Sequence, residues 1–155
     1  MGGDFKRWLY RGNHPNRIAR ILNGFWAKVH AAGILLPNYL VTLEVAGRKS
    51  GRMIAFPVVM AHLNGERYLV SMLGNDAQWV GNVRAAQGKA FIRSGKRSAV
   101  HLEEVPVEQR APILKAYLKI APGARPHIPV NKDAPIAAFE AVAADFPAFH
   151  IVPEV

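Results

Sequence analysis

Thr42-Leu-Glu-Val-Ala-Gly-Arg-Lys-Ser-Gly-Arg-Met-Ile-Ala-Phe-Pro-Val-Val-Met-Ala-His-Leu-Asn-Gly65 is the stretch that decides the fold. Apolar and β-branched residues alternate on either side of Gly47–Arg52, and Asn64-Gly65 is a strong signal for a two-residue hairpin turn. Consecutive antiparallel strands are therefore expected. The first turn also carries chemistry: its glycines permit tight backbone conformations, and Arg48, Lys49 and Arg52 set three cations within five positions. Phosphate or carboxylate is the natural partner for such a turn, and a solvated basic hairpin is its plain alternative.

Working outward, strands are expected at 39–45, 54–63, 66–72, 89–94 and 97–105, with Ser94-Gly95-Lys96 closing a second hairpin and a last short strand at 148–152. Pro57 removes one ladder donor from the second strand. That implies an edge, a bulge or a place where a ligand lies against the backbone. Helices are expected at 108–120 and 135–145, joined by a stiff proline-rich loop over 121–130 in which regular structure is not expected. Near the start, Ile18, Ile21, Leu22, Phe25, Trp26 and Val29 recur at helical spacing across 14–32, while Arg17, Arg20, Asn23 and Lys28 lie largely off that stripe. A basic amphipathic helix of this kind packs on its own core or lies on a membrane surface.

Runs of strands closed by helices point to α+β with an antiparallel sheet curling into a small barrel. With 155 residues, half of them apolar, one domain is expected over 1–155: a helical extension at 1–36, then the barrel and its helices at 38–155. Met1–Gly12 holds no apolar run of signal-peptide length, and no uninterrupted apolar stretch approaches a membrane span. A soluble, cytoplasmic protein is expected, with peripheral membrane contact through the N-terminal helix as a further option.

The chain has no cysteine, which removes disulfides, zinc–thiolate sites, iron–sulfur clusters and thiol nucleophiles together. A net charge of +9 favours an anionic partner. Nucleic acid has no support beyond that charge, since zinc-finger, basic-zipper and RNA-recognition signatures are missing. The six histidines are scattered, with none at the i, i+4 spacing of a helical metal pair, so no metal site is expected. The serines form no nucleophile elbow, and Glu103 and Glu104 point to opposite faces of a strand. Dinucleotide and phosphate-loop fingerprints fail on spacing. What remains is an enzyme in which the protein binds and orients while a cofactor supplies the chemistry.

Three elements, Thr42–Gly51, Phe56-Pro57 and Trp79-Val-Gly-Asn-Val-Arg-Ala85, match in order, spacing and residue type the deazaflavin-dependent nitroreductases of actinobacteria, which the chain resembles from about 40 to 105. The resemblance implies a split β-barrel of about six antiparallel strands, related to flavin-binding pyridoxamine-phosphate oxidases. It also implies binding of coenzyme F420, whose phosphodiester and glutamate tail are anionic. By carry-over Arg48, Lys49 and Ser50, with Gly51 and Arg52 beside them, hold the phosphate and tail. The strand Ile54, Ala55, Phe56, Pro57, Val58 and Val59 lies along the ring, as does the stretch Val70, Ser71, Met72 and Leu73. Gln78, Trp79, Val80, Gly81 and Asn82 close the other side. Where many members carry a second arginine this chain has Ile54, and Arg52 is expected to take its part.

The activity implied is hydride transfer from reduced F420 to a small-molecule acceptor such as a quinone, an enone or a nitro compound. The tyrosines that line the acceptor pocket of nitroaromatic-reducing members have no counterpart here, and the loop offers Arg125 and His127 as substrate contacts instead. Tyr117 and His127 are the candidate acids. The alternatives from other classes are a non-catalytic F420 carrier and a flavin mononucleotide (FMN) enzyme of the same barrel type.

Overall fold

The computed structural model of the chain describes residues 39–154. The expected N-terminal helix at 14–32 lies outside the described residues. Six strands form a closed barrel: β1 (Leu40–Ala46), β2 (Met53–Leu63), β3 (Glu66–Val70), β4 (Lys89–Ser94), β5 (Lys96–Glu104) and β6 (Ala148–Pro153). Their order around the barrel is β1-β2-β3-β6-β5-β4, with β4 pairing back to β1, and every pair is antiparallel. Helix α1 (Gln78–Ala85) bridges β3 and β4, while α2 (Ala111–Ile120) and α3 (Ile136–Val142) lie between β5 and β6 in sequence. The architecture is thus α+β, as runs of strands closed by helices imply.

Local sequence explains the connections. Asn64 and Gly65 both adopt left-handed φ, 52° and 79°, the twist a two-residue hairpin requires, and Leu63 pairs with Glu66 across them. Between β1 and β2, Gly47 N–H donates to Arg52 C=O at 2.7 Å and Gly51 N–H to Gly47 C=O at 2.8 Å, which folds the cationic turn tightly.

Alternation then sorts the core into two parts. Val41, Leu43 and Val45 of β1 face Ile54, Phe56 and Met60 of β2 inside the barrel, closed by Val80 and Val83 of α1 and by Phe149 and Ile151 of β6. Val59 and Ala61, on the opposite face of β2, pack outside the barrel against Leu114, Tyr117 and Leu118 of α2 and Phe139 of α3. β2 therefore carries both cores on its two faces.

Several expected boundaries shift for identifiable reasons. β3 ends at Val70 rather than Met72, because the Ser71 hydroxyl donates to Gly74 C=O at 2.7 Å and turns the chain. The helix expected from Glu108 begins at Ala111 after a 3-10 turn at Val107–Gln109, with Pro112 in its first turn where a missing N–H costs nothing. The helix expected over 135–145 is α-helical only to Val142 and tightens to 3-10 at Ala143–Asp145. The proline-rich loop is not free of regular structure: Pro122–Ala124 form a 3-10 turn, and Ala121, Ala124 and Ile128 are buried in the outer core.

One polar network locks helices to barrel. Arg84 at the end of α1 makes a two-pronged ion pair with Glu104, at 2.9 and 2.7 Å. Arg110, buried at the start of α2, donates to the same carboxylate at 3.1 Å and to Val105 C=O and Ala143 C=O. The Arg84 hydrogen bond holds the Glu104 carboxyl below its usual range. Glu103 points the other way, toward His101 and His150, as the alternation of a strand requires.

Candidate functional site

A cleft enclosing about 640 Å³, its open mouth included, lies where the two cores meet along β2. Ile54, Phe56, Pro57, Val58 and Val59 of β2 line it, with Val70, Met72 and Leu73 from the segment at the end of β3, Ala77, Gln78, Trp79 and Asn82 at α1, and Tyr117 of α2.

The backbone of β2 gives this cleft a polar edge. Met60 N–H donates to Tyr39 C=O at 2.6 Å, so even-numbered residues of β2 turn their backbone groups toward β1 and odd-numbered ones away from it. On that second side β3 pairs with β2 only as far as Met60–Leu69. Ala55 N–H and C=O, and the Pro57 C=O, therefore face outward with no strand opposite among the described residues. Pro57 pairs with Thr42 of β1 through the side that needs no donor, so its missing N–H falls on the open edge. The sequence alternatives for Pro57 resolve to an open edge that borders a cleft.

Helix α1 forms a further part of the lining and is tied to the cationic turn. The Arg48 guanidinium donates to Asn82 Oδ1 at 2.8 Å, Gln78 C=O at 3.2 Å and Gln78 Oε1 at 3.0 Å. Arg48 N–H also donates to Asn82 Oδ1 at 3.1 Å. The turn thus abuts the cleft through two of its lining residues. Lys49 and Arg52 are exposed, and their side chains have no hydrogen-bond or ion-pair partner among the described residues. Ser50 Oγ accepts from Arg52 N–H at 3.2 Å, which uses the hydroxyl within the turn.

Two buried polar groups in the cleft are left without partners among the described residues. Asn82 is 4 % exposed, and its oxygen takes two donors from Arg48 while its Nδ2 has no acceptor. Tyr117 is 3 % exposed, its hydroxyl is unpartnered, and burial pushes the phenol well above its usual range, so it stays protonated. A buried donor left unmade costs about 1–3 kcal/mol, so both groups favour a ligand that satisfies them.

Trp79 serves core and cleft together. Its ring centroid lies 6.3 Å from that of Phe56 and 5.5 Å from that of Phe149, the latter fully buried inside the barrel, and the residue also lines the cleft. Of the other residues expected at the site, Ala55, Ser71, Val80 and Gly81 adjoin lining residues without lining the cleft, and the turn residues sit beside it. Gly81 leaves room for Arg48: a Cβ there would stand 3.0 Å from the guanidinium carbon.

Arg125 and His127 are exposed and do not line the cleft; Arg125 reaches the carbonyls of Leu118 and Lys119 at the end of α2, each at 3.5 Å. Ala77 lines the cleft without having been expected to, and no residue-level signal marks it. No group of metal-ligating side chains occurs among the described residues, and none of their helices is long and apolar enough to cross a membrane.

No protein-family profile matches the sequence, and no characterised protein matches it at sequence level. Solved structures do share the fold. A structure described as an F420-H2 dependent reductase superposes with a TM-score of 0.51 at 22 % identity, over 72 % of this chain and 92 % of that one. A protein of unknown function from Agrobacterium tumefaciens gives 0.55 at 10 % identity, over 76 % of this chain and 49 % of that one. A putative pyridoxamine 5'-phosphate oxidase from Listeria innocua gives 0.51 at 14 % identity, over 83 % and 94 %. At these identities the likeness is one of fold. What the chain shares with these three structures is the barrel fold.

Proposed function

We propose that this protein is an oxidoreductase that binds reduced coenzyme F420 and reduces an organic acceptor, such as a quinone, an enone or a nitro compound. One observation carries the reading: an apolar cleft adjoins a cationic turn, and among the described residues its strand edge, two of its buried donors and two cations of that turn have no partner. A flat heteroaromatic ring with carbonyl and N–H groups suits the apolar lining, the edge at Ala55 and Pro57, and the Asn82 amide. An anionic tail suits Lys49 and Arg52. When bound, the deazaflavin supplies the hydride.

The chain's own part is to bind, orient and exclude water. Trp79 and Phe56 would give the ring an apolar seat, Pro57 in the lining, with Ala55 beside it, would meet its edge, and Lys49 and Arg52 would anchor the tail. Rate enhancement then comes from holding ring and acceptor in contact, with reacting atoms about 3–3.5 Å apart, in a site shielded from solvent. The protonated Tyr117 hydroxyl is the group at hand to donate a proton or hydrogen bond to the acceptor. Arg125 and His127 lie outside the cleft lining, so this reading gives them a part in acceptor choice only from the surrounding surface, where loops on rigid scaffolds commonly set specificity. Peripheral contact with a membrane, where lipid quinones reside, is a further part of this proposal.

FMN is a second reading, favoured by one observation: with Arg48 engaged by α1, the two remaining cations of the turn match a single terminal phosphate. Side-by-side titration decides. F420 should bind more tightly than FMN, and its binding should weaken as salt screens the turn. Equal affinities, or tighter FMN binding, overturn the choice of deazaflavin. Binding of F420 with no turnover across quinones, enones and nitro compounds favours a carrier instead.

Tyr117→Phe separates chemistry from packing. The hydroxyl has no partner among the described residues to lose, so thermal stability should hold or rise slightly. If the phenol donates the proton, kcat should fall on the order of a hundredfold with cofactor affinity little changed. An unaltered kcat removes Tyr117 from the mechanism.

A further inference from the structure

Arg48 sits in an exposed basic turn, yet its guanidinium is engaged by α1. We propose that Arg48 is a positioning residue: it clasps α1 to the β1–β2 turn and sets the Asn82 amide so that Nδ2 serves the cleft, leaving Lys49 and Arg52 as the cations that meet an anionic ligand. The ligand-binding part of this inference rests on the functional reading above.

The geometry favours a clasp over an anion contact. Nη1 and Nη2 are both engaged, at 2.8–3.2 Å, by acceptors 30 and 34 residues away in sequence. A planar guanidinium spans the Gln78 backbone, the Gln78 side chain and Asn82 at once, which a lysine ammonium on a flexible stem does not reproduce. The seat is also shaped for it. Gly81 presents bare backbone where the guanidinium lies, and a Cβ would meet Cζ, Nη1 and Nε at 3.0, 3.1 and 3.3 Å.

The clasp has a chemical consequence at the cleft. Because Asn82 Oδ1 receives both the Arg48 backbone N–H and Nη1, the amide has one favourable orientation, with the NH2 as its remaining group. Asn82 is thereby a fixed donor, matched to a carbonyl or ring-nitrogen acceptor on the ligand. The other end of α1 is held independently by Arg84 and Glu104, so loss of the clasp should loosen the first turns of the helix and spare the barrel.

Two variants test this in the unliganded protein by hydrogen exchange. Arg48→Lys keeps the charge and loses the fork; Gly81→Ala keeps Arg48 and fills its seat. In both, α1 amides should exchange at least tenfold faster while barrel-strand amides stay protected, which also verifies folding. For Gly81→Ala this runs against intrinsic propensity, since alanine favours helix over glycine. Unchanged α1 exchange in both variants overturns the clasp.

The second arm is F420 binding as a function of salt. Arg48→Lys should bind about tenfold more weakly with the wild-type salt dependence, whereas Lys49→Ala should flatten that dependence. If Arg48→Lys binds like the wild type while Arg48→Gln loses both affinity and salt dependence, Arg48 is an anion contact and the proposal fails. Wild-type protein that binds neither F420 nor FMN overturns the functional reading instead, and hydrogen exchange still decides the clasp.

Discussion

Lys49→Ala should raise the dissociation constant for F420 ten- to a hundredfold and leave the fold and its melting temperature unchanged. A hydrogen bond to a charged group contributes about 1.5–3 kcal/mol, and each 1.4 kcal/mol is tenfold in affinity. The side chain is exposed and has no partner among the described residues, so its removal breaks nothing in the free protein. The loss should also shrink as salt rises, because an exposed cation is screened. An isothermal titration of the folded variant that overlays the wild type would show that the turn is only a solvated surface.

Gly88→Ala should destabilise the protein by about 3 kcal/mol or more, lowering the melting temperature by roughly 10 °C, and in cells it should deplete soluble protein. Two costs add at this position. Gly88 holds φ at 83°, a left-handed conformation that costs a side-chain-bearing residue about 1–2 kcal/mol. A Cβ there would stand 2.5 Å from Leu102 C=O and 2.8 Å from the His101 ring. Relief is barred, because Gly88 N–H donates to Val83 C=O and its C=O accepts from Leu102 N–H, joining the end of α1 to β5. Gly95→Ala is the control: φ is 76° there but nothing lies within 4 Å of a Cβ, so only the conformational cost of about 1 kcal/mol applies. Equal melting temperatures for the two variants would refute the steric account.

The barrel was legible because its signals are local. Alternation across Thr42–Leu63, the Asn64-Gly65 turn and the Ser94-Gly95-Lys96 turn fix strand existence and neighbours without knowledge of the rest of the chain. Closure through β3–β6 and β1–β4 joins residues tens of positions apart, and no local pattern states it. The limits of β3 and of α2 depend on one hydroxyl at Ser71 and one proline at Pro112, details finer than periodicity resolves.

Residue types pointed to the cleft more clearly than to its wiring. Pro57 reads as an interruption of a ladder, and the structure gives that interruption a place. That Arg48 is engaged by Gln78 and Asn82 was not legible, since a cation in a glycine-rich turn reads as free until the helix that faces it is located. The network of Arg84, Glu104 and Arg110 was missed for the same reason: three charges spread over 84–110 carry no spacing rule, and only folding brings them together.

The open edge at Pro57 has a bearing on how the protein behaves among copies of itself. An unpaired strand edge is a template onto which another chain adds, and that is the first step of domain exchange and of fibril growth. A proline whose missing donor lies on that edge deletes one rung of any added strand, so an incoming polypeptide finds an incomplete ladder. A small molecule that needs only the remaining carbonyl and one N–H is not penalised. The same residue thus keeps a hydrogen-bonding surface open to ligands and poor as a seed for self-association.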